Sequence, residues 1–460
     1  MPRDVRHAAA AALGSILMAF FVSTSTLAAA KGSAWPARLD AELQSITASP
    51  GHPLASLSVL AIRHGEIVYQ RQFGHRHIDS TAPSKSLPAN GDTLYRVASI
   101  SKLITTLGVM RLVEAGKLRL DDDVSVALGF QLRNPSFPEV PITLRMLLNH
   151  TSSLRDDAGY YWDAAQKVHM RDVLTPEGRL FGQGAMWDRG NAPGTYFQYC
   201  NLAWGVVGTV MERATGERFD RLMKRLVLDP LQLRGGFHPA DFDSEDLRNV
   251  ATLYRKRATV AGREVWNPAG PWIGQVDDYV NERPVARAGA DYVPGSNGTL
   301  FGPQGNCRLS AAGLARVMRM LMARGRLDGL VFLRGDSVAQ MLMPSWRADA
   351  RGSNGRTDFG SQRALFHGWG LGNQHFLDVS GSNRGDRLVA AGGFRGVGHL
   401  GDAWGLTAAF VLDPGAGTGL IYLIGGPGFD PATYRGTYSA FSRHEELILD
   451  ALYRRAIQQQ

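Results

Sequence analysis

LSVLAIRHGEIVYQRQF, residues 57–73, contains the clearest strand pattern in the chain. Its apolar run from Leu57 to Ile62 and its alternating run from Ile67 to Phe73 are typical of β-strands, and the RHGE between them predicts a tight turn. The sequence therefore predicts a β-hairpin near the start of the chain. Two further apolar runs, Leu406–Leu412 and Gly419–Ile424, flank a DPG tripeptide and predict a second hairpin near the other end.

Helical periodicity dominates the chain between these two hairpins. It extends over five segments, Leu103–Ala115, Leu144–Leu148, Ala203–Ala214, Phe219–Val227 and Ala311–Arg324. Helices are also predicted close to the termini, at 35–47 and 439–455. Strands at both chain ends with helices between them predict an α+β fold. One antiparallel sheet is built from both termini and flanked by helices, and a mainly helical region is inserted into it.

The predicted sheet part comprises residues 31–98 together with 360–460, and the mainly helical part, residues 99–359, is inserted between them. We expect the two parts to form a single domain. Residues 155–195 and 255–310 are rich in Gly, Pro, Trp and Tyr and are predicted to be long irregular segments. Loops of that length in a compact protein often form the rim of a functional site.

The composition is that of an ordinary globular protein, with 44% hydrophobic and 20% charged residues in a chain of 460. A disordered chain would contain fewer apolar residues. The formal net charge is +8, but the basic residues are scattered, with no run of five or more, which argues against nucleic acid as a partner. The two cysteines, Cys200 and Cys307, are too few for a disulfide scaffold or a four-cysteine zinc site.

The N-terminus has the pattern of an export signal. Basic residues at Arg3 and Arg6 precede an apolar run from Ala8 to Val22, and the small residues Ala28–Ala30 follow as a cleavage site. We predict that residues 1–30 are a signal peptide, with a periplasmic or secreted mature protein. No later segment contains 18 uninterrupted apolar residues, so no stable membrane insertion is expected after cleavage.

Ser99-Ile100-Ser101-Lys102 is the S-x-x-K pattern of the chain. On a helix, positions i and i+3 share a face, so the Lys102 amine can lie beside the Ser99 hydroxyl. A desolvated lysine loses its proton easily and can then accept the proton of the serine. The apolar residues that follow continue a buried helix, which places Ser99 at a helix N-terminus, where free N–H groups favour developing negative charge.

Two later patterns carry side chains suited to the same chemistry. In Tyr199-Cys200-Asn201 the phenol can relay a proton and the amide can hold a substrate carbonyl. In His399-Leu400-Gly401 the histidine offers a hydrogen-bond donor or a proton shuttle, and its charge is expected to change between pH 5 and 8. Gly401 lets a substrate approach the backbone closely. Each pattern alone is also compatible with a purely structural role.

Together and in this order, the three patterns resemble the motifs of the serine β-lactamase and penicillin-binding DD-peptidase superfamily, in the branch whose third motif is H-x-G. The resemblance extends over about residues 36–455. It is carried by YRVASISK at 95–102, ITLRMLLNHTSSL at 142–154, the PG at 193–194 followed by Asn201 and the Gly205–Gly216 segment, LDPL at 228–231, and GHLG at 398–401. This implies the β-lactamase/transpeptidase-like fold.

The resemblance also implies a role for each site residue. Ser99 would be the acylated nucleophile, and Lys102 and Tyr199 would handle its proton, in an order that stays open. Asn201, His399 and Gly401 would bind substrate. The backbone N–H groups of Ser99 and Asp402 would form the oxyanion hole, in which removal of one donor typically costs about 10²–10³ in rate.

Three positions depart from the superfamily pattern. Cys200 replaces a small Ser or Ala. Asp402 follows the third motif and places a possible carboxylate near the anionic end of a substrate. Pro303–Cys307 stands where relatives often have a Gly-Gly loop. Whether Cys200 and Cys307 form a disulfide, which an exported protein permits, stays open.

Other chemistries find little support in the sequence. It contains no G-x-S-x-G elbow, and His444-Glu445 lacks the second histidine of a zinc-protease motif. The His75 and His77 pair has no acidic or Cys partner, and Asp121–Asp123 lacks the ligand spacing of a calcium loop. We therefore predict neither a metal nor a cofactor.

The sequence thus predicts an exported serine hydrolase that works through a Ser99 acyl-enzyme on small-molecule or peptide substrates, which include fragments of peptidoglycan. Because of His399 and the predicted export, we favour amide bonds of D-alanyl-type peptides, as cleaved by DD-carboxypeptidases and D-aminopeptidases. An esterase and a β-lactamase of the same fold are alternatives, and so is a penicillin-binding sensor without turnover.

Overall fold

The computed structural model describes residues 34–459. Its strands are, in chain order, β1 (Ser56–Arg63), β2 (Glu66–His77), β3 (Leu87–Pro88), β4 (Tyr95–Arg96), β5 (Leu253–Val260), β6 (Arg263–Trp266), β7 (Trp272–Val276), β8 (Arg308–Leu309), β9 (Arg326–Leu327), β10 (Leu330–Val331), β11 (Trp346–Arg347), β12 (Gly368–Trp369), β13 (Gln374–Phe376), β14 (Gly396–Ala403), β15 (Leu406–Asp413) and β16 (Thr418–Ile424). The signal peptide predicted for residues 1–30 lies outside the described residues.

The helices confirm the periodic segments of the sequence. They are α1 (Trp35–Thr47), α2 (Ile100–Glu114), α3 (Val124–Leu128), α4 (Leu144–Leu148), α5 (Met170–Leu174), α6 (Leu202–Thr215), α7 (Phe219–Met223), α8 (Ser244–Asn249), α9 (Ala311–Met322), α10 (Gly335–Leu342) and α11 (Arg443–Leu452). Within residues 34–459, no helix is both long enough and apolar enough to cross a membrane.

A nine-stranded antiparallel sheet in the order β11-β12-β13-β14-β15-β16-β1-β2-β3 forms the centre of the fold. The two predicted hairpins are β1–β2 and β15–β16. They meet where β1 pairs with β16, with Leu57 opposite Ile424 and Ile62 opposite Gly419. The predicted α+β fold, with its sheet built from both chain ends, is therefore confirmed.

The central strands are apolar along their whole length because helices cover both faces of the sheet. Leu57 and Val59 of β1 pack into a cluster with α1 and α11, whereas Leu60 and Ile62 pack into a second cluster with α2 and α9. Helix α2 is buried almost throughout, and its buried residues include the polar side chains of Ser101, Lys102, Thr105 and Thr106.

Two expectations about chain organisation were wrong. Residues 255–310 are not wholly irregular, since most of the three-stranded sheet β6-β5-β7 lies within them. The nine-stranded sheet also includes β11, which starts at Trp346 and therefore lies before the boundary predicted at residue 360. In both cases the strands are short or rich in Arg and Trp, so they lack the apolar run that identifies a strand in a sequence.

Candidate active site

The chain approaches Ser99 through a strained turn. The strand β4 pairs with β8, and the N–H of Val97 donates to the carbonyl of Cys307 at 2.9 Å, which holds this segment in place. Ala98 then adopts φ +45°, a left-handed conformation that typically costs about 1–3 kcal/mol at a non-glycine residue. Ser99 follows as the N-cap residue of α2, as the sequence predicted.

The backbone N–H of Ser99 makes no hydrogen bond within the part of the chain that the structure describes. The next three N–H groups, those of Ile100, Ser101 and Lys102, instead donate to the carbonyls of residues 97–99. Only the Ser99 N–H is therefore left at this helix start for a developing oxyanion, whereas the sequence led us to expect several free donors.

Lys102 is fully buried one turn after Ser99. Its Nζ lies 3.1 Å from the Ser99 Oγ, 2.8 Å from the Asn201 Oδ1 and 3.0 Å from the Gln304 carbonyl oxygen. All three acceptors are neutral. Burial therefore lowers the pKa of Lys102 to about 7, although the Asp156 carboxylate opposes this. An amine with that pKa, in contact with a serine hydroxyl, is suited to remove its proton.

Tyr199 lines the same cavity as Ser99. Its ring centroid is 4.8 Å from the Lys102 Nζ. Burial raises the pKa of Tyr199 above its usual value. The phenol therefore keeps its proton at neutral pH, which makes it a better proton donor than proton acceptor in this site.

Asn201 is held at both ends of its amide. The Oδ1 accepts from Lys102, and the Nδ2 donates to the Asp156 Oδ2 at 2.9 Å. The Asp156 carboxylate also accepts the backbone N–H groups of Asn201 and Leu202 at the start of α6. Asp156 thus fixes the amide that contacts Lys102. These two contacts use one of the two Nδ2 N–H groups and one of the two Oδ1 lone pairs, so the amide retains a donor and an acceptor with which Asn201 could bind substrate, as the sequence predicted.

His399 lies on β14, where it is buried against Tyr199 and Trp369. Its Nδ1 is 2.6 Å from the Leu400 carbonyl oxygen, and since a carbonyl can only accept, Nδ1 carries the proton. Burial, with the Lys102 amine as a second cause, lowers the pKa of His399 to about 3. The expectation that His399 changes charge between pH 5 and 8 was therefore wrong, because its ring is enclosed and has no carboxylate partner within residues 34–459.

Gly401 brings β14 against the serine turn. A Cβ atom at this position would lie 2.6 Å from the Val97 carbonyl oxygen, so only glycine fits. Beyond Gly398, this edge of β14 has no strand partner among the described residues, because β13 pairs only with Gly396–Gly398. The exposed residue Asp402 follows on the same unpaired edge. The backbone there is thus available to a substrate beside Ser99.

A cavity of about 320 Å³ opens in front of these residues. Five predicted site residues line it, namely Ser99, Tyr199, His399, Gly401 and Asp402. Its apolar wall includes Phe359, Leu365, Phe366 and Phe441. Lys102 and Asn201 lie behind Ser99 and are joined to it through the Lys102 amine. The structure therefore brings all seven predicted residues together, while their individual roles stay predictions.

Three further residues shape the site and were not singled out by the sequence. Asp156 orients Asn201, and the Gln304 carbonyl accepts from Lys102. His150 stacks on Tyr199 at 4.5 Å, and its Nδ1 accepts the N–H of Cys200 at 3.1 Å. His150 lies within the NHTSSL stretch and Gln304 lies within the Pro303–Cys307 loop. Their positions in these segments could therefore have identified them as site residues from the sequence. Asp156 carries no such signal.

Cys200 and Cys307 are both free and buried, so the possible disulfide does not form. Away from the cavity, oxygen or nitrogen atoms of Asp220, His238 and Asp241 lie within 4.8 Å of one another. Arg218 already donates to both carboxylates, at 2.7 Å to Asp220 and 3.0 Å to Asp241. In this cluster the Arg218 guanidinium already neutralises the two carboxylates that would otherwise attract a metal cation.

The family model described as Beta-lactamase matches residues 41–442. Because this match covers most of the sequence, the chain belongs to the Beta-lactamase family.

Individual relatives match smaller portions of the chain. Esterase EstB of Burkholderia gladioli is 35% identical over 41% of this chain and 48% of its own length. A penicillin-binding protein of Bacillus subtilis (strain 168) is 31% identical over 38% of this chain and 36% of its own length. The chain thus aligns with less than half of either curated relative.

A solved structure of the D-amino acid amidase from Ochrobactrum anthropi SV3, complexed with D-phenylalanine, superimposes with a TM-score of 0.58. The two chains are 17% identical, and the match covers 91% of this chain and 99% of the amidase. At this identity the likeness concerns the fold alone.

Proposed function

We propose that the protein is an exported serine hydrolase that forms an acyl-enzyme at Ser99 and cleaves amide bonds of short D-alanyl-type peptides. The observation that carries the proposal is the contact of the Ser99 hydroxyl with a buried amine, Lys102 Nζ at 3.1 Å, whose pKa is lowered to about 7. A side chain that is neutral near pH 7 can accept the serine proton during attack.

The same contacts suit an amine leaving group, which departs only when its nitrogen receives a proton. Lys102 holds the proton taken from Ser99, and the Tyr199 phenol lines the same cavity as that hydroxyl. Either group can pass a proton across the Ser99 oxygen to the leaving nitrogen. The unpaired Ser99 N–H and the open edge of β14 at Asp402 supply the place for the oxyanion.

Ester hydrolysis is the second candidate. It is supported by the 35% identity to Esterase EstB over 41% of this chain and by the apolar wall of the cavity. An alkoxide or phenolate leaving group needs less proton transfer than an amine, so every group required for esters is also present. The two candidates share the acyl-enzyme and differ in which leaving group gives the higher kcat/KM.

The experiment measures turnover of N-acetyl-D-alanyl-D-alanine and of p-nitrophenyl acetate, and identifies the acylated peptide by mass spectrometry. We expect both substrates to be cleaved, with the peptide giving the higher kcat/KM and the label on Ser99. A preference for the ester would favour the second candidate. Acylation without turnover of either substrate would instead favour a sensor.

A matched pair of serine variants tests the nucleophile. Ser99→Ala should abolish acylation, whereas Ser101→Ala should retain it, because the Ser101 hydroxyl accepts the N–H of Cys307 at 3.0 Å and does not contact Lys102. A label that persists in Ser99→Ala would contradict the proposal.

Export is supported by the basic and apolar pattern of residues 1–30. N-terminal sequencing of protein recovered from the periplasm or the medium should find a first residue near position 31. An intact Met1 in the cytoplasmic fraction would contradict export without affecting the chemistry proposed for Ser99.

A further inference from the structure

The three-stranded sheet β6-β5-β7 is attached to the body of the protein at one end of its central strand, β5. The N–H of Tyr254 in β5 donates to the Gly425 carbonyl, just after β16, at 3.0 Å. A Cβ atom at Gly405, in the turn after β14, would lie 3.4 Å from the Cγ of Arg255. The face of this small sheet that carries Arg255, here called the inner face, is therefore turned towards the large sheet.

The inner face also carries the one acidic residue of the β5–β6 hairpin. In the register of the two strands, Arg257 lies opposite Trp266 and Thr259 lies opposite Glu264. The guanidinium groups of Arg255 and Arg257 lie 5.3 and 5.0 Å from the centroid of the Trp266 ring. Arg257 also forms an ion pair of 4.0 Å with Glu264. The carboxylate of the hairpin thus has a basic partner on its own face of the sheet.

The opposite, outer face of the same strands combines apolar and basic side chains and carries no acid. Successive residues of a strand point to opposite faces, and residues directly opposite each other share a face. The accessible part of the outer face therefore consists of three opposed pairs, Lys256 with Trp272, Ala258 with Val265 and Val260 with Arg263. Val260 is 58% exposed and Val265 is 40% exposed. Within residues 34–459, neither Lys256 nor Arg263 forms an ion pair.

The size of the outer face argues against a second copy of the chain as its occupant. Four paired residues extend about 13 Å and two neighbouring strands are about 10 Å wide, so the face offers about 130 Å². A stable protein interface buries about 800 Å² on each partner. A lipid surface needs no such area, because a few apolar side chains enter it while basic groups are attracted to anionic headgroups. The unpaired positive charges of Lys256 and Arg263 fit such a surface.

We propose that the outer face of the β5–β6 hairpin docks the protein on an anionic lipid membrane. Val260 and Val265 enter the boundary between headgroups and acyl chains, and Lys256 and Arg263 contact the lipid phosphates. Trp272 suits the same depth, because its ring is apolar and has one polar N–H group.

The attachment of β5 beside the turn after β14 gives this docking a consequence for the candidate active site. Because Arg255 packs against Gly405 in that turn, the hairpin holds the strand of His399 in a fixed orientation relative to the membrane. The proposal concerns where the protein is held, and it does not depend on the chemistry proposed for Ser99.

The test measures sedimentation of the whole protein with vesicles of phosphatidylglycerol and with vesicles of phosphatidylcholine. We expect binding to phosphatidylglycerol at low salt, a loss of this binding as salt rises, and much weaker binding to phosphatidylcholine. The double variant Lys256→Gln/Arg263→Gln should lower the partition coefficient by about fivefold for each charge removed. The double variant Val260→Ser/Val265→Ser should also lower it, because less apolar area enters the membrane.

Each double variant has a matched control elsewhere on the surface. Arg326→Gln/Arg351→Gln removes two exposed arginines, and therefore the same net charge, from other parts of the chain. Val126→Ser/Val331→Ser changes two valines that are 85% and 49% exposed, in α3 and β10. Both controls should bind the vesicles nearly as well as the wild type.

Equal binding to the two lipids, or equal losses in the outer-face variants and their controls, would overturn the proposal. A wild-type dimer in analytical ultracentrifugation that the two valine substitutions abolish would do the same, because a second copy would then be the occupant. Thermal unfolding shows whether a change in binding reflects loss of fold. None of the substituted residues lines the active-site cavity, so hydrolysis of p-nitrophenyl acetate without vesicles should be unchanged. Failure of the docking is therefore distinguishable from failure of the proposed hydrolase.

Discussion

Two fully buried basic side chains, Lys102 and Arg308, each donate to a carbonyl of the Pro303–Cys307 loop, and their pKa values shift in opposite directions. Among the described residues Lys102 donates to three neutral oxygens, and burial lowers its pKa to about 7. Arg308 is equally buried, but its Nη2 and Nε lie 2.7 and 3.0 Å from the Asp277 carboxylate oxygens. Although burial alone would lower the pKa of Arg308, this carboxylate raises it.

Burial does not by itself decide whether a basic side chain keeps its charge. A buried charge with a carboxylate partner is locked in its ionised form and ties elements together. A buried amine whose partners are uncharged can release its proton and is available for chemistry. Both side chains also bind the same loop. Arg308 donates to the Asn306 carbonyl, and Lys102 donates to the Gln304 carbonyl.

The largest expected effect is on activity, at Lys102. Lys102→Met should lower kcat/KM by at least about a thousandfold, because it removes the base proposed for Ser99. Its thermal stability should be unchanged or higher, since a buried amine is replaced by an apolar chain of similar length. Steady-state kinetics and thermal unfolding of one preparation check both statements. If Lys102→Arg were active, the side chain would act only as a fixed charge, because arginine does not release its proton in proteins.

The same substitution at the other buried basic residue, Arg308→Met, should lower the free energy of unfolding. Arg308→Met leaves the Asp277 carboxylate buried without its partner, which typically costs about 3–5 kcal/mol in the free energy of unfolding. Denaturant unfolding measures this loss. A double variant with Asp277→Asn removes the stranded charge, and asparagine tolerates the φ of +66° at this position. The double variant should be more stable than Arg308→Met, and an equal or lower stability would contradict the role of the ion pair.

A smaller effect is expected at Asp156, whose carboxylate raises the pKa of Lys102 and so opposes the effect of burial. Acylation of the wild type should rise with pH through about 7, as Lys102 loses its proton. Asp156 favours the protonated amine, so Asp156→Asn should move this midpoint to lower pH, by about one unit or less. The pH dependence of kcat/KM measures the shift. A midpoint that moves upward would mean that another group titrates.

The smallest expected effect is at His399. Because its pKa lies at about 3, His399 stays neutral between pH 5 and 8. His399→Gln should therefore leave the shape of the pH profile in that range unchanged, whatever its effect on the absolute rate. The profile of the variant, normalised to its own maximum, is compared with that of the wild type. The disappearance of an inflection near pH 6 in the variant would show that His399 is charged after all.

The fold and most residues of the candidate site could be predicted from local sequence patterns. The hairpins at 57–73 and 406–424 are long, apolar and separated by turn residues, so the period of their side chains identified them directly. The S-x-x-K spacing placed Lys102 beside Ser99, because a helix brings residues i and i+3 onto one face. The order of the motifs then located Tyr199, Asn201 and His399, which the fold assembles.

The charge of each ionisable group could not be predicted from local sequence, because it depends on the packed fold. Whether His399 is a cation, whether Lys102 is a base and whether Arg308 is paired all depend on burial and on neighbours far away in the chain, such as Asp277 and Gln304. The free state of Cys200 and Cys307 has the same origin. Local sequence fixes which groups exist, whereas desolvation and Coulomb interactions act through space and follow from the packed fold.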